Sequence, residues 1–592
     1  MKFKIGDEFY LNNHPIKIIS GAVHYFRIVP EEWEQTLYNL KAMGCNTVET
    51  YVPWNLHEPQ AGTFDFTGLA DVESFLKLAQ SMGLLIILRP SPYICAEWEF
   101  GGLPAWLLKN RNIQIRSQDP DFLAAVSAYY DKLLPKLVPF QTTHGGNVIM
   151  MQIENEYGSF SNDHEYLRKL KKMMIDRGVD VPLCTSDGGW EAALDSGSLM
   201  VDDVLATANF GSDPDENFGA LKKHFSEHQV KRPLMCMEFW DGWFNNWGKK
   251  IIRRSAVETA NEVKKTLEMG SINFYMFRGG TNFGFMNGKS DFETEDLAQI
   301  TSYDYDAPLT EWGAPTEKFF AIQKVIKEVY PQAQIKAPIY PSTGQLDSVD
   351  LKEKVSLFSV LSELSQPVIN DYPLTMEQLD QSTGYLLYRT TLKRQREIDD
   401  LRAVDAGDRL QFFLNEQAIA TQDQQEIGTA INVKLEKEIN TLDILVENTA
   451  RNNYGPKLIS TRQRKGIRGG IREDIHYLSG YEHFALPLTN LEKLDFTKDE
   501  KKGTPTFYRG FFDLTAPKST FVDCRSWGKG VVIVNGHNLG RYWQIGPTAS
   551  LYLPASFLKC GQNEIIVFET EGIQLEKVEF SSQPCYIDVE SN

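Results

Sequence analysis

Across the first ~330 residues, short apolar runs alternate with longer amphipathic ones, the pattern of repeated βα units. Eight apolar runs read as strands, at 16–22, 47–51, 84–89, 147–153, 181–185, 204–208, 234–238 and 272–277. Amphipathic stretches at 30–43, 69–82, 120–137, 164–177 and 255–269 read as helices between most of them. The first opens Pro30-Glu31-Glu32. A proline fits the first helical turn, and acids there complement the helix dipole. Eight such units predict an α/β fold of the (β/α)8 TIM-barrel class. A doubly wound open sheet is the competitor, but no GxGxxG or P-loop follows the first strand.

Beyond Gln332 the pattern shortens. From Thr383 onward, alternating runs are punctuated by Gly, Asn and Asp, an all-β signature. A weak repeat runs through this half. Tyr385-Leu386-Leu387-Tyr388-Arg389 resembles Thr506-Phe507-Tyr508-Arg509, the run from Gly407 to Asn415 parallels Gly528 to Asn535, and Asn440 to Asn448 parallels Asn563 to Glu569. Two related sandwiches with jelly-roll-like topology follow as the expectation. The predicted division is a catalytic barrel at 1–330, a linker and β segment packing between domains at 331–382, a first all-β domain at 383–482 and a second at 483–592.

Barrel chemistry sits at the C-terminal ends of strands, and here those ends carry unusual side chains. Strand two runs into Glu49-Thr50-Tyr51-Val52-Pro53-Trp54-Asn55, and strand three into Tyr93-Ile94-Cys95-Ala96-Glu97-Trp98. Strand four leads to Glu154-Asn155-Glu156, strand seven to Glu238-Phe239-Trp240, and strand eight to Arg278-Gly279-Gly280-Thr281-Asn282. A carboxylate at the end of a buried strand is costly without a purpose. Two of them on one barrel are what glycosidic cleavage needs: about 5–5.5 Å apart for a retaining enzyme, about 6.5–9.5 Å for an inverting one. Glu156 and Glu238 are the candidate pair. Glu154 is the rival to Glu156, since period-two alternation aims it to the same side. Asn155 favours Glu156, because an amide there can hold a sugar 2-hydroxyl. The alternative role for Glu238 is a buried salt-bridge partner, yet its sequence neighbours include no Lys or Arg.

Composition narrows the function further. The 592 residues exceed one core. The net charge of -18 excludes nucleic-acid binding and disfavours an anionic membrane surface. No 18-residue apolar stretch is present, so no membrane insertion is expected. The seven cysteines form no CxxC pair or zinc spacing. With no apolar leader after Met1, a reduced, cytoplasmic protein is expected, with surface association left open. No metal or cofactor is expected: Asp304 and Asp306 have no histidine cluster beside them. His24 and His57 read as structural. Cys95 and Cys236 lack the partners of a thiol nucleophile. Arg451, Arg462, Arg464 and Arg468 read as a solvated or ion-paired cluster.

Four motifs together resemble glycoside hydrolase family 35, the β-galactosidases, in their bacterial three-domain form: Gln152-Ile153-Glu154-Asn155-Glu156-Tyr157-Gly158, the Tyr93–Trp98 segment with Gly101-Gly102-Leu103-Pro104, the Gly279–Gly284 run, and Ser302-Tyr303-Asp304-Tyr305-Asp306-Ala307-Pro308. The resemblance implies a retaining exo-β-galactosidase with Glu156 as acid/base and Glu238 as nucleophile, and a galactose-binding-like second β domain. It further implies a galactose site lined by Tyr51, Ala96, Glu97, Asn155, Tyr275 and Tyr305. Glu97 is then positioned to clamp two sugar hydroxyls, and Tyr305 to donate to the nucleophile. Trp240, Trp243, Phe244 and Trp247 follow the nucleophile, and indole faces stack on sugars; Trp240 and Trp243 are the expected walls for the leaving sugar. Tyr454, on a turn in the first β domain, reads first as a turn-packing aromatic, with completion of that leaving-sugar site as the alternative. The expected partner is a β-galactoside oligosaccharide or glycan, with β1,3 linkage as the candidate and a homodimer as a compatible assembly. Another β-glycosidase on the same barrel, or a sugar-binding protein or adhesin without catalysis, is the alternative.

Overall fold

The computed structural model describes residues 1–90, 92–291 and 295–589; Ser91, in the segment after the third predicted strand, lies outside them. Eight parallel strands close a barrel. They are β1 (Ile19–Val23), β2 (Thr47–Tyr51), β3 (Leu85–Arg89), β4 (Val148–Gln152), β5 (Leu183–Gly188), β6 (Leu205–Phe210), β7 (Met235–Trp240) and β8 (Ser271–Arg278). Nearly every residue in them is buried, as expected for parallel strands covered on both faces. That burial is why they read as continuous apolar runs.

The first strand begins later than expected. Residues Phe3–Ile5, Phe9–Leu11 and His14–Ile16 form a small antiparallel sheet of their own. Phe3 and Phe9 stack at 5.9 Å and join the barrel core. Helix Pro120–Leu137 has the expected bounds because Asp119 caps it, accepting from the amides of Asp121 and Phe122 at 3.0 Å, with Pro120 in the first turn. Three further helices, Glu191–Gly197, Pro214–Glu227 and Glu317–Val329, complete the outer ring.

The C-terminal half is antiparallel β structure. A six-stranded sheet faces a four-stranded one over a core that includes Leu386, Tyr388, Phe412 and Ile444. Further on, a five-stranded and a four-stranded sheet enclose Tyr508, Val532, Ile565 and Val567. The repeat seen in the sequence maps onto equivalent strands. Tyr385–Lys393 pairs with Ile439–Glu447, which pairs with Arg409–Leu414; Thr506–Leu514 pairs with Gly561–Glu569, which pairs with Lys529–Val534. The outer faces of the two large sheets pack on each other through Tyr385, Leu387, Phe413, Phe507 and Phe568. The segment after the barrel supplies strands to both sandwiches: Val349–Asp350 and Glu353–Ser356 to the last, Val368–Asn370 to the middle one.

The middle sandwich is fastened to the barrel mouth. Asn452–Tyr454 pairs in parallel with Lys289–Asp291, a strand in the chain after β8. Arg451 is fully buried and ion-paired with Glu99 of the barrel and Glu377 of its own sandwich. The ion-paired reading of the arginine cluster thus holds for Arg451, and for Arg468, which pairs with Asp405 at 2.7 Å. Asp408 lies between Lys289 at 2.9 Å and Lys465 at 2.7 Å. Both ammonium groups hold its carboxyl well below the usual range against the opposing effect of burial.

Candidate active site

At the end of β4 the chain leaves strand geometry. Glu154 and Glu156 both take left-handed backbone conformations, with φ of 57° and 44°. Non-glycine residues rarely do so, and such strain collects at working sites. The alternation expected from the sequence therefore fails. Glu154 turns into the wall, where Arg116 holds it by two bonds at 3.0 and 2.8 Å and Tyr166 donates at 3.1 Å. Glu156 faces a cavity of about 260 Å³. Asn209, on β6, donates to Glu156 Oε1 at 3.0 Å. Burial first, and the negative charge of Glu238 second, push the Glu156 carboxyl up to about 8.

Glu238 lies within β7, beside a register shift against β6. Its Oε1 accepts from the Tyr51 hydroxyl at 2.6 Å and pairs with Arg89 Nη2 at 2.7 Å; its Oε2 accepts from Trp240 Nε1 at 3.1 Å. The cation that was missing among its sequence neighbours thus arrives from β3. Salt-bridge partner and cavity carboxylate are not alternatives here, because Glu238 is both. Arg89 also donates to Gln152 at 2.7 Å and Asn155 at 2.8 Å, and reaches Glu49 at 3.7 Å. Burial pushes Glu49 up to about 7.

Ala96, Glu97, Asn155, Tyr275, Tyr305, Trp240 and Trp243 all line this cavity with the two acids. Tyr51 reaches it through its bonds to Glu238 and, at 2.8 Å, to Asn155 Oδ1. The Asn155 carbonyl is thereby occupied by Tyr51, Arg89 and Gln152. Cys95, Ala96 and Glu97 are three successive left-handed residues. The Ala96 carbonyl accepts from Arg27 at 2.6 Å. Glu97 accepts from the Tyr303 hydroxyl, and burial pushes its carboxyl up to about 7. The tyrosine that donates to Glu238 is Tyr51, not Tyr305: Tyr305 stands edge-on to Tyr275 at 5.4 Å.

Trp240 and Trp243 meet edge to face at 5.6 Å, and Trp243 stacks on Phe244 at 5.1 Å. Trp247 packs instead on Trp543 of the last sandwich at 6.3 Å. Trp190, 52% exposed, lines the cavity and was missed. Its Gly-Gly-Trp context is that of a turn and carries no catalytic signature. Tyr454 also lines the cavity, with Asn453, so it is more than a turn-packing ring. Asp304 and Asp306 are neutralised by Arg253 at 3.1 Å each, and Asp306 by Lys318 at 2.8 Å. His57 bonds Tyr25 and the Asp65 carbonyl, a structural role.

A closed parallel barrel that presents two differently held carboxyls to one aromatic-walled cavity has the architecture of a glycoside hydrolase. Residues 8–329 match the profile described as Glycosyl hydrolases family 35. Residues 373–487 match Beta-galactosidase, first all-beta domain, and 505–563 match Beta-galactosidase, galactose-binding domain. The chain belongs to glycosyl hydrolase family 35. A Beta-galactosidase of Xanthomonas manihotis is 40% identical over 557 residues, covering 93% of this chain and 91% of that protein. Beta-galactosidase 17 of Arabidopsis thaliana is 39% identical over 621 residues, covering 97% and 88%. Beta-galactosidase-1-like protein 3 of Mus musculus is 39% identical over 579 residues, covering 95% and 86%.

Proposed function

We propose that this family 35 enzyme removes terminal non-reducing β-D-galactose from oligosaccharides or glycans by double displacement, with Glu238 as nucleophile and Glu156 as acid/base. The observation that carries the reading is the unequal treatment of the two acids. Glu238 accepts three donors, one of them the Arg89 cation, which suits a carboxylate. Glu156 has one amide donor and burial that keeps its proton up to about 8. Environments that separate two carboxyls in this way assign acid and nucleophile.

The steps follow from those charges. Glu238 attacks the anomeric carbon while Glu156 protonates the departing glycosidic oxygen. The glycosyl-enzyme ester removes the charge of Glu238, and that charge is the second cause of Glu156's raised value. Glu156, which has passed its proton to the leaving group, then stays ionised more readily and takes a proton from the incoming water as that water attacks the anomeric carbon and the ester bond to Glu238 breaks. Tyr275, Tyr305 and Glu97 are the proposed galactose contacts. Trp240, Trp243 and Tyr454 are the proposed walls for the leaving sugar, with β1,3-linked substrates as the candidate. Proton NMR of the first product tests the mechanism. β-Galactose should appear before mutarotation, and first release of the α-anomer would overturn the double displacement. Glu238→Gln should abolish turnover with the fold intact.

A further inference from the structure

A second cavity, of about 470 Å³, adjoins the first and shares the indoles of Trp190, Trp240 and Trp243 with it. We infer that it is a binding site for the sugar unit beyond the one Glu156 releases, so that the preferred substrate has at least three sugar units. The inference rests on Glu156 being the acid that protonates the leaving sugar.

Position is the first argument. Asn209, whose amide holds Glu156 Oε1 at 3.0 Å, also lines the second cavity. The proposed galactose contacts Glu97, Tyr275 and Tyr305 line only the first. The second cavity is therefore on the acid/base side, where a reducing-end extension of the substrate must leave.

Chemistry is the second argument. Three indoles with the polar groups of Ser212, Asn217 and Arg254 offer apolar faces beside hydrogen-bonding tips, the surface that a neutral sugar ring matches. Arg254 fixes one wall by donating to the backbone carbonyls of Trp240 and Gly211.

Construction is the third. Trp190 leaves half its surface in water, unusual for so large an apolar ring. It folds against the end of β5 because residue 188 is glycine: a Cβ there would sit 2.0 Å from the indole. At Gly189 a Cβ would sit 2.2 Å from the Asn217 side-chain oxygen. Two consecutive glycines thus make room for two lining side chains.

The test compares kcat/KM for a galactosyl disaccharide, of whichever linkage is cut fastest, with the trisaccharide that extends it by one sugar at the reducing end. The trisaccharide should be favoured by about tenfold, the ratio that 1.4 kcal/mol of extra binding yields. Ser212→Trp, which places a ring in the second cavity, should bring the ratio to about one. A wild-type ratio near one, or a preference that survives Ser212→Trp, overturns the inference; the wild-type ratio decides alone if the variant does not fold. Nitrophenyl galactoside turnover separates the two levels of the reading. If the wild type leaves that substrate untouched, the galactosidase reading fails. Tryptophan fluorescence titration with the same two oligosaccharides then decides the cavity by itself, and equal affinities overturn it.

Discussion

Replacing Asn209 with alanine should make the enzyme more tolerant of alkali. The Asn209 amide is oriented by Ser186, whose hydroxyl donates to Asn209 Oδ1 at 2.6 Å, so the NH2 group faces Glu156 Oε1 at 3.0 Å. A donor at that place stabilises the ionised form of Glu156 and lowers its pKa against the upward pressure of burial and Glu238. Its loss lets Glu156 keep its proton to higher pH. A hydrogen bond to a charged group is worth about 1.5–3 kcal/mol, and 1.36 kcal/mol is one pKa unit. The bond is of ordinary length and Glu156 keeps a partly exposed edge, so the lower end applies. The expected shift is about one unit. Glu156 acts as an acid only while protonated, so the rate falls as pH rises through its pKa, about 8 in the unaltered protein. The alkaline limb of kcat/KM, which reports the free enzyme, should therefore move up by about one pH unit in Asn209→Ala. A disaccharide is the substrate to use, because a poor leaving group depends on protonation. A nitrophenyl galactoside, needing less help, should show the weaker dependence. An alkaline limb that stays in place or moves toward acid, in a variant of normal circular dichroism, would refute the assignment of Glu156.

Tyr51→Phe removes the 2.6 Å bond to Glu238 and the 2.8 Å bond to Asn155, and should lower kcat/KM about ten- to hundredfold; a smaller effect would show that Arg89 and Trp240 hold Glu238 without it. Arg451→Met leaves Glu99 and Glu377 buried without their cation and should cost about 3–5 kcal/mol in urea unfolding; a change under about 1 kcal/mol would place that pair in the weakly coupled class of exposed bridges. Stability should also fall between pH 5 and 8. Burial pushes Glu49, Glu97, Asp187 and Glu311 each up to about 7, so the native state keeps protons that the unfolded chain releases near pH 4 to 5. More protons on the native than on the unfolded chain means that stability declines as pH rises. A melting temperature that climbs over that interval would contradict those assignments.

The barrel was legible because its strands are buried on both faces, and such strands print continuous apolar runs. The acids were legible because a charge at the end of such a run stands out. What periodicity could not supply was direction. Glu154 and Glu156 share a parity in the sequence, yet two left-handed residues send one to Arg116 and the other to the cavity. Nor could it supply partners from other strands. The cation and the hydroxyl on Glu238 come from β3 and β2, while the sequence pointed to Tyr305, after β8.

The same limit hid the part the middle sandwich plays. Asn453 and Tyr454 line the cavity of Glu156 and Glu238 although they belong to a β domain, and their segment carries no motif. Distant side chains fix that segment amide by amide. The amides of Thr449 and Ala450 donate to Asp408, that of Arg451 to Glu99, and that of Asn452 to Gln463; the Asn453 carbonyl accepts from Tyr93. A backbone run held by acceptors from the barrel and the sandwich together has no conformation of its own to read. Each acceptor is buried, so leaving any of those amides unpaired would cost about 1–3 kcal/mol. The barrel mouth and the sandwich are thus one cooperative surface. The part of the cavity wall that Asn453 and Tyr454 supply exists only when both halves of the chain are folded, and the sandwich is a structural component of the cavity that holds Glu156 and Glu238 rather than an appendage to it.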